Sequence, residues 1–321
     1  MRKLRWGLIG CGDISRKRVA PALRDSTICD FVAVNRARYE LAEEFAREYG
    51  ARKWHKTWQN LIQDPEIDAV YVSTPVYLHA PMTVAAAKAG KHVLCEKPMA
   101  MALSECDQMI KTCRNQNVQL GLAFYRHFFP LVKRIKQAIA DGEIGKIVYA
   151  QFNVFSPFDR KSGEDRFWLM QKDKAGGGPM FDMGCHRIEL VMNLFGEIQD
   201  VKGFPRNIVY EREVEDSCVA YFEMESGANV LLSITHAAAE FQDSIHIFGN
   251  QGSIHIKRLN TGEMLINRKG SEQHESHPPH ANLHQPLIED FTQSALEARA
   301  PIITGEIGRK VNEILMRIYG G

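Results

Sequence analysis

At 321 residues, with 45% hydrophobic and 25% charged side chains, the chain has ordinary globular composition and exceeds the usual size of a single core, so two domains are expected. Forty basic residues against thirty-nine acidic ones leave a formal net charge of +1, which offers neither the basic footprint of a nucleic-acid binder nor a polybasic membrane anchor. No stretch approaches the roughly 18 uninterrupted apolar residues of a membrane-spanning helix, so neither nucleic acid nor membrane is an expected partner.

The first stretch, Arg2-Lys3-Leu4-Arg5-Trp6-Gly7-Leu8-Ile9, runs into glycines within a few residues, which suits a strand and turn better than a signal peptide. Buried parallel strands are predicted at Leu4–Ile9, Phe31–Val34, Ala69–Ser73, His92–Cys95 and Val118–Leu122. Helical patterns lie between them, near Ile14–Leu23, Tyr39–Tyr49, Met82–Ala89 and Leu103–Asn115, and Pro21 is expected to end or kink the first. Strand and helix alternating at this spacing imply right-handed crossovers and an α/β doubly wound parallel sheet over residues 1–122.

Residues 123–321 read differently. A helix is predicted at Pro130–Ala140, closed by Asp141-Gly142, and then strands at Ile147–Phe155, Val201–Val209, Ser217–Glu225, Asn229–Thr235, Ser244–Phe248 and Gly252–Lys257. Two helices follow, near Asn282–Ala298 and Glu306–Tyr319. Many consecutive strands with few helices imply an α+β domain built on a large, mainly antiparallel sheet. The seven cysteines are scattered, odd in number and without a Cys-x-x-Cys pair, which fits reduced thiols in a cytoplasmic protein.

The turn Gly10-Cys11-Gly12-Asp13-Ile14-Ser15 follows the first strand and opens the first helix. Two glycines permit a tight turn and close approach to a pyrophosphate, and the helix N-terminus behind them presents free N–H groups. Ser15 replaces the third glycine of the usual fingerprint. At the end of the second strand, where an NAD enzyme usually carries an acid, the run is Asn35-Arg36-Ala37-Arg38-Tyr39. Arg36 and Arg38 suit a 2′-phosphate, which a carboxylate would repel, and Arg16, Lys17 and Arg18 add basic candidates. NADP(H) is therefore the favoured cofactor, with NAD(H) as the alternative.

Lys97 ends the run Gly90-Lys91-His92-Val93-Leu94-Cys95-Glu96-Lys97-Pro98, just beyond a strand whose carboxyl end should face the ligand crevice. A lysine there can bond the reacting oxygen and stabilise negative charge as a carbonyl is reduced; a surface ion pair with Glu96 is the plainer alternative. In the second half, Gly176-Gly177-Gly178 reads as a flexible turn into a helix bearing Asp182 and His186, four positions apart and so on one face. A carboxylate beside an imidazole orients it and helps it exchange a proton near neutral pH. The plainer readings are a helix cap for Asp182 and a core histidine for His186. A metal pair is a further alternative, but no third ligand at metal-site spacing is evident, so no metal is expected.

Taken together, Gly7-Leu8-Ile9-Gly10-Cys11-Gly12, Asp68-Ala69-Val70-Tyr71-Val72-Ser73-Thr74-Pro75, the Ala89–Pro98 run and the segment from Gly177 through Asp182 to His186 occur in an order that resembles the glucose–fructose oxidoreductase/inositol dehydrogenase (Gfo/Idh/MocA) family over essentially the full length. The resemblance implies a Rossmann domain, an open-sheet domain, and nicotinamide in the cleft between them. It implies Lys97, Asp182 and His186 as the catalytic group, and a homodimer or homotetramer. Cofactor contacts are implied at Gly10, Gly12, Asp13, Ile14, Asn35, Arg36, Arg38, Ser73, Thr74, Pro75, His79, Glu96 and Lys97. Val76 departs from the pattern, since many relatives carry Asn there.

Tyr125 and Arg126 enter the second domain, and Phe158, Arg166 and Trp168 lie in an aromatic, basic stretch; these are the expected substrate contacts, because aromatic faces stack on sugar C–H surfaces and arginine supplies fixed donors. An interface ion pair for Arg126 and sheet packing for the aromatics are the alternatives. His236 either reaches the cleft or sits in a solvated turn, and His274, His277, His280 and His284 read as an exposed loop rather than a metal site, with entry of one of them into the pocket as the alternative. The expected activity is NADP(H)-preferring hydride transfer at a carbon of a sugar, anhydrosugar, cyclitol or related diol. Two other readings compete: a glycoside-cleaving enzyme using tightly held NAD(P) for transient oxidation, and a non-catalytic nucleotide-sensing regulator, against which the joint presence of Lys97 and His186 argues.

Overall fold

The computed structural model describes residues 2–320. They form two compact units: residues up to Tyr125 with His280–Lys310, and Arg126–Pro279 with the residues from Val311 onward. No helix among them is long and apolar enough to cross a membrane.

In the first unit, β1 (Leu4–Ile9), β2 (Cys29–Asn35), β3 (Lys53–His55), β4 (Ala69–Val72), β5 (His92–Cys95) and β6 (Leu120–Leu122) make a parallel sheet in the order β3-β2-β1-β4-β5-β6. The order reverses between β1 and β4, which is where such sheets open a crevice at their carboxyl ends. Leu8, Ile9, Val70, Val72, Val93 and Leu94 are fully buried, as strands covered on both faces require. The helix Gln285–Leu296 packs here: Phe291 lies 5.5 Å from Trp6, and the Trp6 indole N–H donates to Thr292 at 3.2 Å. Burying a side chain such as Phe291 contributes about 1.5–3 kcal/mol.

Pro21 does not end the first helix. The chain stays helical to Asp25 through a wide turn at Ser15–Val19, and Pro21 falls at the start of the regular segment Ala20–Asp25, where its missing N–H costs little. Sequence pattern also misses β3 and the helix Trp58–Gln63. Three residues, Lys-Trp-His, carry no periodicity, and pairing with β2 is what makes them a strand.

The second unit holds β7 (Ile147–Phe155), β8 (Ile198–Arg206), β9 (Ser217–Met224), β10 (Asn229–Thr235), β11 (Gln242–Gly249), β12 (Gly252–Ile256), β13 (Glu263–Arg268) and β14 (Ser271–Ser276), ordered β14-β13-β12-β11-β7-β10-β9-β8. Only the β7–β10 pair is parallel within that sheet. β9 shows the alternation of a half-covered sheet: Cys218, Ala220, Phe222 and Met224 point inward while Val219, Tyr221 and Glu223 face out. Phe152 on the covered face meets Phe195 of the helix Cys185–Phe195 edge-on at 6.3 Å. β13 and β14 were not predicted, and β14 places His274 on an exposed edge strand rather than in a loop.

Candidate active site

The first unit builds a nucleotide-shaped turn. Gly10 follows β1 with φ +93, a conformation other residues rarely adopt, and an added Cβ would collide with the Ser73 carbonyl. Ser15 does more than replace a glycine: its hydroxyl donates to Gly10 O at 2.7 Å and meets Ser73 Oγ at 2.9 Å, tying the turn to the end of β4. A Cβ on Gly12 would meet nothing within 4 Å, so no protein atom requires glycine there, whereas a phosphate lying on the turn would. Asp13 and Ile14 open the helix behind it, and Asp13 holds Lys17 at 2.9 Å.

Arg36, just past β2, has a buried Nη1 with no hydrogen-bond partner, which suits an incoming anion. Arg38 is exposed. Arg16 is already engaged, donating to Glu48 at 2.9 Å and lying 5.2 Å over the Phe45 ring. The Asn35 amide donates to His55 O at 3.0 Å, which joins β2 to β3. Thr74 Oγ1 is a second buried polar atom without a partner, beside Pro75. These orphaned atoms and the open space over Gly12 fit a bound dinucleotide.

His79, expected to touch cofactor, instead bridges two loops: its ring nitrogens sit 2.9 Å from Thr74 O and 2.9 Å from Pro98 O. Burial lowers its pKa, while the two carbonyls pull the other way. Lys97 is half-buried and joined to Pro98 by a cis peptide. Glu96 is buried, accepting from Tyr71 Oη at 2.8 Å and from the Lys97 N–H at 3.3 Å. Burial pushes its carboxyl up, but His284, Lys97 and Tyr71 outweigh that and hold it below the usual range.

His284 overturns its expected place in an exposed loop. It is 1% exposed, lies 3.6 Å from Glu96 and stacks on Tyr125 at 4.4 Å. A signal was available, since His284, Leu287, Ile288 and Phe291 fall at the spacing of one helix face.

In the second unit, Asp182 occupies a wide helical turn, Met180–Gly184, that runs into the regular helix bearing the buried His186. The two remain about one turn apart. The preceding glycines are tightly packed, not flexible: a Cβ on Gly177 or Gly178 would strike Tyr319 Oη or Glu215 O. Glu215 caps the turn, accepting from Gly178 N at 2.7 Å, Met180 N at 3.1 Å and Tyr319 Oη at 2.6 Å. Its burial raises its pKa against those donors. Arg187, next to His186, forms a buried ion pair with Asp243 on β11.

Arg126 is half-buried in the short helix that begins at Tyr125. The guanidiniums of Arg160 and Arg166 lie 4.5 and 4.6 Å from the Phe158 ring. Trp168 and Phe158 both pack onto Leu169, Met170 and Ala175, which lie on the short helices Phe167–Met170 and Lys172–Ala175. His236 is 3% exposed, which overturns the solvated-turn alternative. Among the described residues no group of three or more His, Cys, Asp or Glu is placed to hold a metal ion.

Comparison with known proteins agrees with this geometry. The profile of the oxidoreductase family with an NAD-binding Rossmann fold matches residues 4–124, and that of the GFO/IDH/MocA C-terminal domain matches residues 132–255. The 1,5-anhydro-D-fructose reductase of Ensifer adhaerens is 30% identical over 316 residues, covering 95% of this chain and 92% of the relative. The levoglucosan dehydrogenase of Pseudarthrobacter phenanthrenivorans is 31% identical over 227 residues, covering 67% and 57%. The same fold recurs in an aldose-aldose oxidoreductase from Caulobacter crescentus complexed with glycerol, with TM-score 0.91, 24% identity and coverage of 99% and 97%. A 3-ketoreductase from Actinomadura kijaniata in complex with NADP gives 0.90 at 24% identity, covering 100% and 98%. The chain belongs to the Gfo/Idh/MocA family of oxidoreductases.

Proposed function

We propose that the protein transfers a hydride to or from a carbon of a sugar, anhydrosugar, cyclitol or related diol, with NADP(H) preferred to NAD(H). The observation that carries the cofactor preference is the buried, unpartnered Nη1 of Arg36 at the end of β2, in a stretch with no acid before Glu40. The substrate class follows from relatives named for 1,5-anhydro-D-fructose and levoglucosan.

The nicotinamide, when bound, supplies or accepts the hydride; the proton is left to the chain. In the oxidising direction Lys97 holds the substrate oxygen and stabilises its developing charge. His186, oriented by Asp182, takes the hydroxyl proton as the hydride leaves the same carbon, so the products are a carbonyl, reduced nicotinamide and a protonated imidazole. Gly10, Gly12 and the helix start at Asp13-Ile14 hold the pyrophosphate, beside Ser73, Thr74 and Pro75.

The test is a spectrophotometric screen of sugars, cyclitols and anhydrosugars with NADP(H), comparing wild type with Lys97→Ala. Loss of the lysine should lower kcat by about 100-fold or more, as for other donors to a developing oxyanion, while NADPH affinity stays within a few-fold. Turnover undiminished in Lys97→Ala would remove the lysine from the chemistry.

A further inference from the structure

Just beyond β10 the structure buries a second imidazole, and we propose that His236 is a substrate-positioning residue, held so that its Nε2–H donates to an oxygen of the polyol. The ligand class rests on the function proposed above; the state of the ring rests on the geometry around it.

His236 follows β10, and its backbone is pinned at both ends: its N–H donates to Asp216 O at 2.8 Å, and its carbonyl accepts from Phe158 N at 3.0 Å. One face of the site is closed by Arg212, whose side chain is 5% exposed. That guanidinium donates to Phe158 O at 3.1 Å, Glu215 O at 2.8 Å and Val214 O at 3.3 Å, lies 3.2 Å from Met170 Sδ and 3.8 Å from Asp159 Oδ1, and meets His236 Nδ1 at 3.1 Å. A guanidinium has donors only and stays charged. Nδ1 must therefore accept, and the ring proton is forced onto Nε2.

The surroundings keep the ring neutral. Burial pushes its pKa down to about 4, with Arg212 and Arg166 acting in the same sense and Asp182 and Asp216 opposing them. At neutral pH His236 is thus a fixed donor and not a base, which separates its role from the proton exchange assigned to His186.

What stands beside the ring suits a polyol. Phe158 lies 5.2 Å from it, tilted by 57°, and is flanked by the guanidiniums of Arg160 and Arg166. Phe158, Arg160 and Asp182 are half-buried and Arg166 is exposed, so a buried polar floor meets a partly open, aromatic and cationic rim. An apolar ring face accepts sugar C–H groups and a fixed N–H selects an oxygen acceptor.

The test combines NMR of nitrogen-labelled histidine with steady-state kinetics on the full chain, using glycerol, D-glucose, myo-inositol and levoglucosan as probes with NADP present. The expected results are an Nε2–H tautomer for His236 that persists to about pH 5 and a shift of that signal on adding at least one probe. His236→Leu should raise the KM or Kd for that probe about tenfold, the usual cost of one lost hydrogen bond, with kcat changed far less. His236→Gln, which restores an N–H near Nε2, should recover most of the loss. A proton on Nδ1, a signal that no probe moves, or a His236→Leu variant that loses thermal stability with KM unchanged would each overturn the proposal. A shifted signal without any turnover would support the positioning role while removing the proposed reaction; turnover with an unmoved signal would do the reverse.

Discussion

Replacing Arg36 with alanine separates the adenosine phosphate from everything else the cofactor shares with its unphosphorylated form. In the unliganded chain Nη1 of Arg36 is buried and bonds to nothing, so the substitution deserts no protein acceptor, and stability should change by no more than about 0.5 kcal/mol. Two basic neighbours are already engaged, Arg16 by Glu48 and Lys17 by Asp13, which leaves Arg18 and exposed Arg38 as the side chains able to compensate. A hydrogen bond to a charged partner contributes about 1.5–3 kcal/mol, and at about 1.4 kcal/mol per decade this is roughly a 10- to 150-fold loss of NADPH affinity. Fluorescence titration with NADPH and NADH, together with the ratio of kcat/KM for the two, measures it directly. NADH binding should move by less than about threefold, since it lacks the phosphate. Added salt should weaken NADPH binding more in wild type than in the variant. Equal weakening of both cofactors, or none, would refute the assignment.

Two further substitutions test the supports of the site. Glu96 titrates below the ordinary carboxylate value in the folded chain, because His284, Lys97 and Tyr71 outweigh its burial; its ionised form therefore stabilises the fold above about pH 5, and that contribution is lost as pH falls through the folded value. Glu96→Gln should accordingly be destabilising at neutral pH and lose its difference from wild type as the solution is acidified, in a series of denaturant titrations; a difference that grows toward acid would contradict the sign. Gly178→Ala drives a methyl group into Glu215 O and disturbs the 2.7 Å bond to that side chain, for a loss of about 1–3 kcal/mol. An unaltered melting temperature would show that the turn yields where the packing says it cannot.

Much of the first unit was legible because its signals are local. β1 and β5 coincide with the apolar runs at Leu4–Ile9 and His92–Cys95, and the helix Leu103–Asn115 with its 3.6-residue periodicity, as does Pro130–Ala140 in the second unit. Gly10 was readable from its place between strand and helix, and the structure adds the cause, a positive φ beneath the Ser73 carbonyl. β14 was not readable: Ser-Glu-Gln-His-Glu-Ser has no apolar alternation, and it is a strand because Met264, Leu265 and Ile266 of β13 pair with it. His79 illustrates the same gap at a single residue. Nothing in its neighbours along the chain indicates that its ring links Thr74 O to Pro98 O, nineteen positions onward.

The sequence by itself determined the glycine turn after a buried strand, the absence of an acid after β2, the lysine beyond β5 and the aspartate–histidine spacing, because each is a matter of residue type at short separation. Tertiary structure alone decided that His280–Lys310 returns to the first unit, that Glu215 and Tyr319 lock the turn before Asp182, and that Arg212 fixes the tautomer of His236. Those are pairings between distant parts of the chain, and a burial pattern specifies that a side chain is covered without specifying by what.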